Sequence, residues 1–224
     1  MEALVSRARE TGILTVVDGA HAPGQIPLDL GALGADFYAG NCHKWVMAPK
    51  GAGFLHSQRE NQSSLSPLVV SWGGEGSKGR GPSPFLDDHQ WQGTRDISAF
   101  LSVPEAIRFM AEHDWDTVRR ACGSLLDWAR EALTEELGLA PVALGPATRP
   151  MQMAAFLLPS CPAVEVQRCL YDEHRIEVPV IPWNGASLLR ISVQGYTTRE
   201  DLEALLAALK SVLSLYRMGV KPPA

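Results

Sequence analysis

The stretch that most constrains this chain runs from Val16 to Phe54, VVDGAHAPGQIPLDLGALGADFYAGNCHKWVMAPKGAGF. An apolar run stops at an acid, Asp18, and a connection rich in Gly, Ala and Pro follows. A second run, Phe37-Tyr38-Ala39-Gly40, leads into His43-Lys44 before the chain turns back. Short apolar runs that each end in a polar group read as two strands delivering side chains to one place. In an open α/β sheet that place is the crevice at the carboxyl ends of the strands, where ligands bind. The intervening segment has the length of the crossover that parallel strands require.

The rest of the chain extends this α/β pattern. Its 224 residues, 46% of them hydrophobic, suffice for one large or two small domains. Glu2 to Glu10 has helical spacing in Ala3, Leu4 and Ala8, with Gly12 placed for a C-cap and a strand expected over Ile13 to Val17. Gly53-Phe54-Leu55-His56 reads as a returning strand. The loop from Gly73 to Pro84 contains a GxGxxG match at Gly74, Gly76 and Gly79, but Pro82 and Pro84 follow where a dinucleotide fingerprint would open a helix. Asp96 caps the next helix, and Ser102-Val103-Pro104-Glu105 reads as a capping box. Asp114 to Leu137 is a long amphipathic helix, capped by Asp114 and stopped at Gly138, that links residues 1–112 to a smaller domain over 113–224. There, Met153 to Leu158, a helix from Ala163 to His174, Ile176 to Ile181 and Leu188 to Val193 form an α/β layer closed by a helix from Thr198 to Tyr216.

Composition removes several function classes. A net charge of −5 with no basic cluster argues against a nucleic-acid partner. Cys42, Cys122, Cys161 and Cys169 lack CxxC spacing, and the histidines form no HExxH pair, so neither a disulfide scaffold nor a metal site is expected. The start, MEALVSRARETG, has no apolar signal core, and no run is long enough to cross a bilayer, so the expectation is a soluble, cytoplasmic chain with no membrane partner.

Asp18, His21, His43, Lys44 and Pro49-Lys50-Gly51, taken in order, resemble the pyridoxal-phosphate (PLP) enzymes of the class V aminotransferase group. This is the fold type I branch that holds cysteine desulfurases and isopenicillin N epimerase. The resemblance implies the rear part of that family's mostly parallel large domain followed by a small C-terminal α/β domain. It also implies residue roles. Lys44 would form an imine with the cofactor, Asp18 would pair with the pyridinium nitrogen, and His21 would sit against the ring face or its phenolic oxygen. Asn41, where desulfurases commonly carry Ser, and His43 would face the phosphate. Thr94, in Trp91-Gln92-Gly93-Thr94-Arg95-Asp96, would reach the phosphate of another subunit, implying a homodimer or partner subunit. Arg190, in Leu189-Arg190-Ile191-Ser192 ahead of Tyr196-Thr197, would bind the carboxylate of an amino-acid substrate, although Thr197 stands where the family has Asn.

From residue type alone, other roles stand beside these. An Asp ending a strand also serves as a turn cap, a lone His as a structural residue, Thr94 as an N-cap and Arg190 as an ion-pair residue. Lys50 rivals Lys44, but lies between Pro49 and Gly51 in a turn where a solvated lysine is usual.

The segment Glu177 to Trp183, ahead of Arg190, contains no Cys, which disfavours a desulfurase, since sulfur must be handed to a thiolate. Val178-Pro179 with Pro182-Trp183, Asn41 to Trp45 and Trp91 to Asp96 are similar to the isopenicillin N epimerase subgroup, whose relatives include C–S lyases. Both chemistries begin by removing an α-proton. The chain starts with a crossover helix, so by resemblance the family's front half, with its phosphate loop and stacking aromatic, is missing. Weak PLP binding by the isolated chain is therefore expected. A truncated, non-catalytic family member that binds a partner subunit is the alternative; a nucleotide-binding oxidoreductase rests only on the glycine match.

Overall fold

The structure, a computed structural model, describes residues 1–73, 81–142 and 152–218. The chain divides into two units, Met1–His113 and Asp114–Ala224. The GxGxxG match at residues 74–79 lies outside the described residues.

In the first unit, α1 (Glu2–Glu10) ends at a turn in which Gly12 takes φ +69° and the Ile13 N–H closes onto the Ala8 carbonyl at 2.9 Å. Strands β1 (Val16–Asp18), β2 (Phe37–Asn41) and β3 (Gly53–Ser57) form a sheet in that order. β1 and β2 are parallel, with Asp18 opposite Ala39, whereas β3 returns antiparallel with Gly53 opposite Asn41. The strand expected from Ile13 starts only at Val16. The Thr15 N–H and hydroxyl both go to the Asp36 carboxylate, each at 2.8 Å, so that N–H is spent on a side chain rather than on a ladder. Between the strands, α2 (Leu30–Leu33) is capped by Asp29, which accepts from the Ala32 N–H at 2.9 Å. Val5, Val17, Ala35 and Tyr38 form one small core between α1 and the sheet.

A 3-10 helix (Arg59–Ser64) follows, then α3 (Pro84–Gln90), α4 (Ser98–Leu101) and α5 (Val103–Glu112). Asp96 accepts from the Ser98 N–H at 2.8 Å, as expected of a cap. The capping box at Ser102 does not form. Ser102 continues the helical turn of α4, its hydroxyl donates to the Ser98 carbonyl at 2.8 Å, and Glu105 pairs with Arg108 instead.

The second unit opens with α6 (Trp115–Leu137), which ends at Gly138 in the left-handed region, φ +67°. Asp114 precedes it, and its carboxylate accepts from the Thr117 hydroxyl at 2.7 Å. β4 (Ala140–Pro141), β5 (Met153–Leu157), β6 (Val180–Trp183) and β7 (Ala186–Ser192) form an antiparallel sheet ordered β4-β5-β7-β6. It packs with α6, α7 (Ala163–His174) and α8 (Arg199–Arg217) around Leu126, Phe156, Leu170, Leu189 and Leu209, all fully buried.

Two features here depart from the sequence expectation. The strand expected at Ile176 begins at Val180, because the Ile176 N–H closes the end of α7 onto the Leu170 carbonyl at 2.9 Å. A tight turn at Asn184 and Gly185, both at positive φ, then carries β6 on to Trp183. α8 starts with an unanticipated capping box, in which Thr198 and Asp201 each accept from the other's backbone N–H. Among the described residues no helix is long and apolar enough to cross a membrane.

Candidate active site

Parallel pairing brings the carboxyl ends of β1 and β2 to one edge, and the turns beyond them carry the candidate residues. After Asp18, the Gly19 N–H bonds the Ala39 carbonyl at 2.9 Å and the Ala20 N–H bonds Asp18 Oδ1 at 3.0 Å. Asp18 is thus a turn cap, but only through Oδ1; among the described residues no hydrogen bond is made to Oδ2. The buried Gln25 side chain donates to the His21 carbonyl at 3.1 Å and holds the turn against itself.

The turn after β2 is fixed more tightly. The Cys42 and His43 N–H groups both point at the Ala52 carbonyl, at 3.0 and 3.1 Å, and the Ala48 N–H returns to the Cys42 carbonyl at 3.0 Å. Cys42, Val46, Ala48 and Ala52 are buried together, against Ala99, Val103, Ala106 and Met110. This inward packing leaves His43 and Lys44 half-buried on the other side. A carbonyl only accepts, so the 2.8 Å contact of His43 Nδ1 with the Ala52 carbonyl puts a proton on Nδ1.

The two turns interlock. Gly24, at φ +81°, lies so close to Trp45 that a Cβ there would sit 2.5 Å from the Trp45 carbonyl carbon. That approach places His21 between two side chains of the second turn. Its Nε2 is 3.2 Å from Lys44 Nζ, and its Nδ1 accepts from the Trp45 indole Nε1 at 3.2 Å.

Of the residues singled out in the sequence, Asp18 and His21 lie on the first turn and Asn41, His43 and Lys44 at the end of β2 or just beyond it. Asn41 is half-buried opposite Gly53, and Lys50 is exposed beside Gly51, φ +96°. Thr94 is exposed next to Gly93 in the same unit. Arg190 belongs to the second unit, on β7. Alternation there buries Leu189 and Ile191 in the core and puts Arg190 and Ser192 on the opposite face. Its Nε is buried with no hydrogen-bond partner among the described residues. The sequence alone does not single out Trp45 or Gly24. An indole beside a lysine carries no periodicity, and only the Pro-Gly pair at 23–24 marks the turn.

All four cysteines are free, and burial pushes each thiol pKa up, away from the thiolate that nucleophilic sulfur chemistry needs. Among the described residues no group of three or more His, Cys, Asp or Glu side chains is placed to hold a metal ion.

The fold is that of the fold type I PLP enzymes. It superposes on the cysteine desulfurase of Thermococcus onnurineus NA1 with a TM-score of 0.77 at 23% identity, covering 95% of this chain and 56% of that one. The aminotransferase class-V family model matches residues 1–205, and the chain belongs to that family, whose members are PLP enzymes. It is 39% identical over 219 residues to isopenicillin N epimerase of Streptomyces clavuligerus, covering 93% of this chain and 55% of that protein. Against the enzyme of the same name from Amycolatopsis lactamdurans it is 40% identical over 218 residues, again covering 93% and 55%. The chain spans about half the length of these relatives.

Proposed function

We propose that the chain carries the lysine side of a PLP site that acts on an amino acid by removing its α-proton, in an epimerase-like or C–S lyase-like reaction. The observation that supports this most is the 3.2 Å approach of His21 Nε2 to Lys44 Nζ, across turns that leave neighbouring parallel strands at their carboxyl ends. The donor set suits the cofactor: an amine to hold it, a carboxylate for a pyridinium and an imidazole for an oxyanion.

When bound, PLP supplies the electron sink that makes an α-carbanion accessible. Lys44 would hold the cofactor, and its Nζ would take the α-proton. Asp18 keeps Oδ1 in its turn and offers Oδ2 to the ring nitrogen. Asn41 and His43 would face the phosphate. With its Nδ1–H committed to Ala52, His43 has only Nε2 left to turn outward. Thr94 would reach the phosphate held by a second copy or partner subunit. Arg190 would fork onto the substrate carboxylate.

α-Proton exchange tests the shared step. With PLP and a panel of L-amino acids in D2O, deuterium should enter the α-position and Lys44→Arg should abolish it. Retention of the amino acid as a D/L mixture marks an epimerase, and release of sulfide a lyase. No exchange with any amino acid would overturn the proposal. A second reading, a partner-binding subunit without turnover, draws on β1, an edge strand among the described residues whose Val16 is 77% exposed. Co-purification with a larger PLP subunit, with no exchange by this chain, would favour it.

A further inference from the structure

The geometry points to Trp45 as a positioning residue that fixes the proton of His21 on Nε2 and aims it at Lys44, an inference that rests on the PLP-site reading. The indole Nε1–H is a donor and nothing else, so the nitrogen it meets must carry a lone pair. That nitrogen is His21 Nδ1, at 3.2 Å. A neutral imidazole with a lone pair on Nδ1 carries its proton on Nε2, which faces Lys44 Nζ at 3.2 Å. An ammonium has no lone pair to accept with. A hydrogen bond at this contact therefore runs in one sense only, from His21 Nε2–H to a lone pair on Lys44 Nζ.

The chain of donors starts from a buried side chain. Trp45 is only 7% exposed, and its backbone lies against Gly24, whereas His21 is exposed and Lys44 half-buried. The neighbouring histidine is held the opposite way, with His43 Nδ1–H donating to Ala52. Two histidines beside one lysine thus present opposite ring edges: His21 an N–H, His43 a bare nitrogen when neutral. Without the indole, His21 can turn its lone pair on Nε2 toward Lys44 and accept from the ammonium, which stabilises the unreactive form. Trp45 also leaves His21 Nε2 as a donor for an anionic oxygen brought beside Lys44.

The test uses the cofactor-free chain, labelled with 15N in His and Trp. Expected are a pyridine-like Nδ1 and a pyrrole-like Nε2 for His21, with a scalar coupling across the hydrogen bond between Trp45 Nε1 and His21 Nδ1. A proton on Nδ1, or no coupling, overturns the inference, and neither observation requires a variant that must fold. Reactivity of Lys44 toward trinitrobenzenesulfonate supplies the second readout. Trp45→Phe should slow it by about two- to tenfold, the worth of one neutral hydrogen bond. His21→Ala in the Trp45→Phe background removes the His21 acceptor and should restore the rate. Equal rates in all three proteins would contradict the inference. Because neither readout involves PLP, coupling with no PLP attachment would sink only the proposed function, and PLP attachment without coupling only this inference.

Discussion

Replacing Gly24 by alanine separates two costs that usually arrive together. The new methyl group would lie 2.5 Å from the Trp45 carbonyl carbon, 2.6 Å from its oxygen and 2.7 Å from the Val46 nitrogen, all backbone atoms that cannot swing aside. Gly24 also sits at φ +81°. Gly51 provides the control, at φ +96° with nothing within 4 Å of where a Cβ would stand. Both substitutions meet the left-handed penalty of about 1–2 kcal/mol. Only Gly24→Ala adds an overlap, at about 1–3 kcal/mol when a packed interior must shift. The expected losses are therefore about 2–5 kcal/mol for Gly24→Ala and about 1–2 kcal/mol for Gly51→Ala. At about 4–8 °C per kcal/mol for a domain near this size, Gly24→Ala should melt at least about 4 °C below Gly51→Ala. Urea unfolding followed by tryptophan fluorescence and circular dichroism measures both. The indole N–H resonance of Trp45 should move in Gly24→Ala alone. Equal stability of the two variants, with an unmoved indole resonance, would refute the interlocking of the turns.

Asp18→Asn keeps an oxygen for the Ala20 N–H, so stability should hardly change while PLP-dependent exchange falls more than about tenfold, as expected for loss of a charged hydrogen bond. A smaller fall would make Asp18 a turn cap only. Arg190→Lys should raise the KM for an amino acid by about ten- to a hundredfold, because an ammonium cannot reproduce the forked contact, and an unchanged KM would place Arg190 outside the site. The Asp36 carboxyl is held below its ordinary range, first by the Thr15 N–H, then by the Thr15 hydroxyl, with Asn61 adding to them. Its charged form is the one the fold favours, so its contribution is present above the ordinary carboxylate range and disappears as pH falls through the lowered folded value. The stability gap between the unsubstituted chain and Asp36→Asn, measured by urea unfolding from about pH 6 to about pH 3, should close on acidification; a constant gap would contradict this.

The elements that carry the site were legible because their physics is local. Glu2–Glu10, Phe37–Asn41 and Ala163–His174 announce themselves by their apolar patterning, and the order of Asp18, His21, His43 and Lys44 points to one sheet edge. What escaped depends on partners distant in sequence. Thr15 gives its N–H to Asp36, 21 residues away, rather than to the ladder. Ser102 fails as a cap because the preceding turn already continues through it. The strand near Val180 starts late because Ile176 is tied to the end of α7. Trp45 is visible in the sequence only as part of a motif; its tie to His21 requires the fold, since 24 residues and a crossover separate the two.

The central claim is that Lys44, and not Lys50, is the lysine that holds PLP. Reduction with borohydride in the presence of limiting PLP, followed by peptide mapping, tests it even if binding is weak. Pyridoxyl label is expected on Lys44, with its loss in Lys44→Arg and with Lys50 unlabelled. Label on Lys50, or label spread evenly over the surface lysines, would contradict the claim.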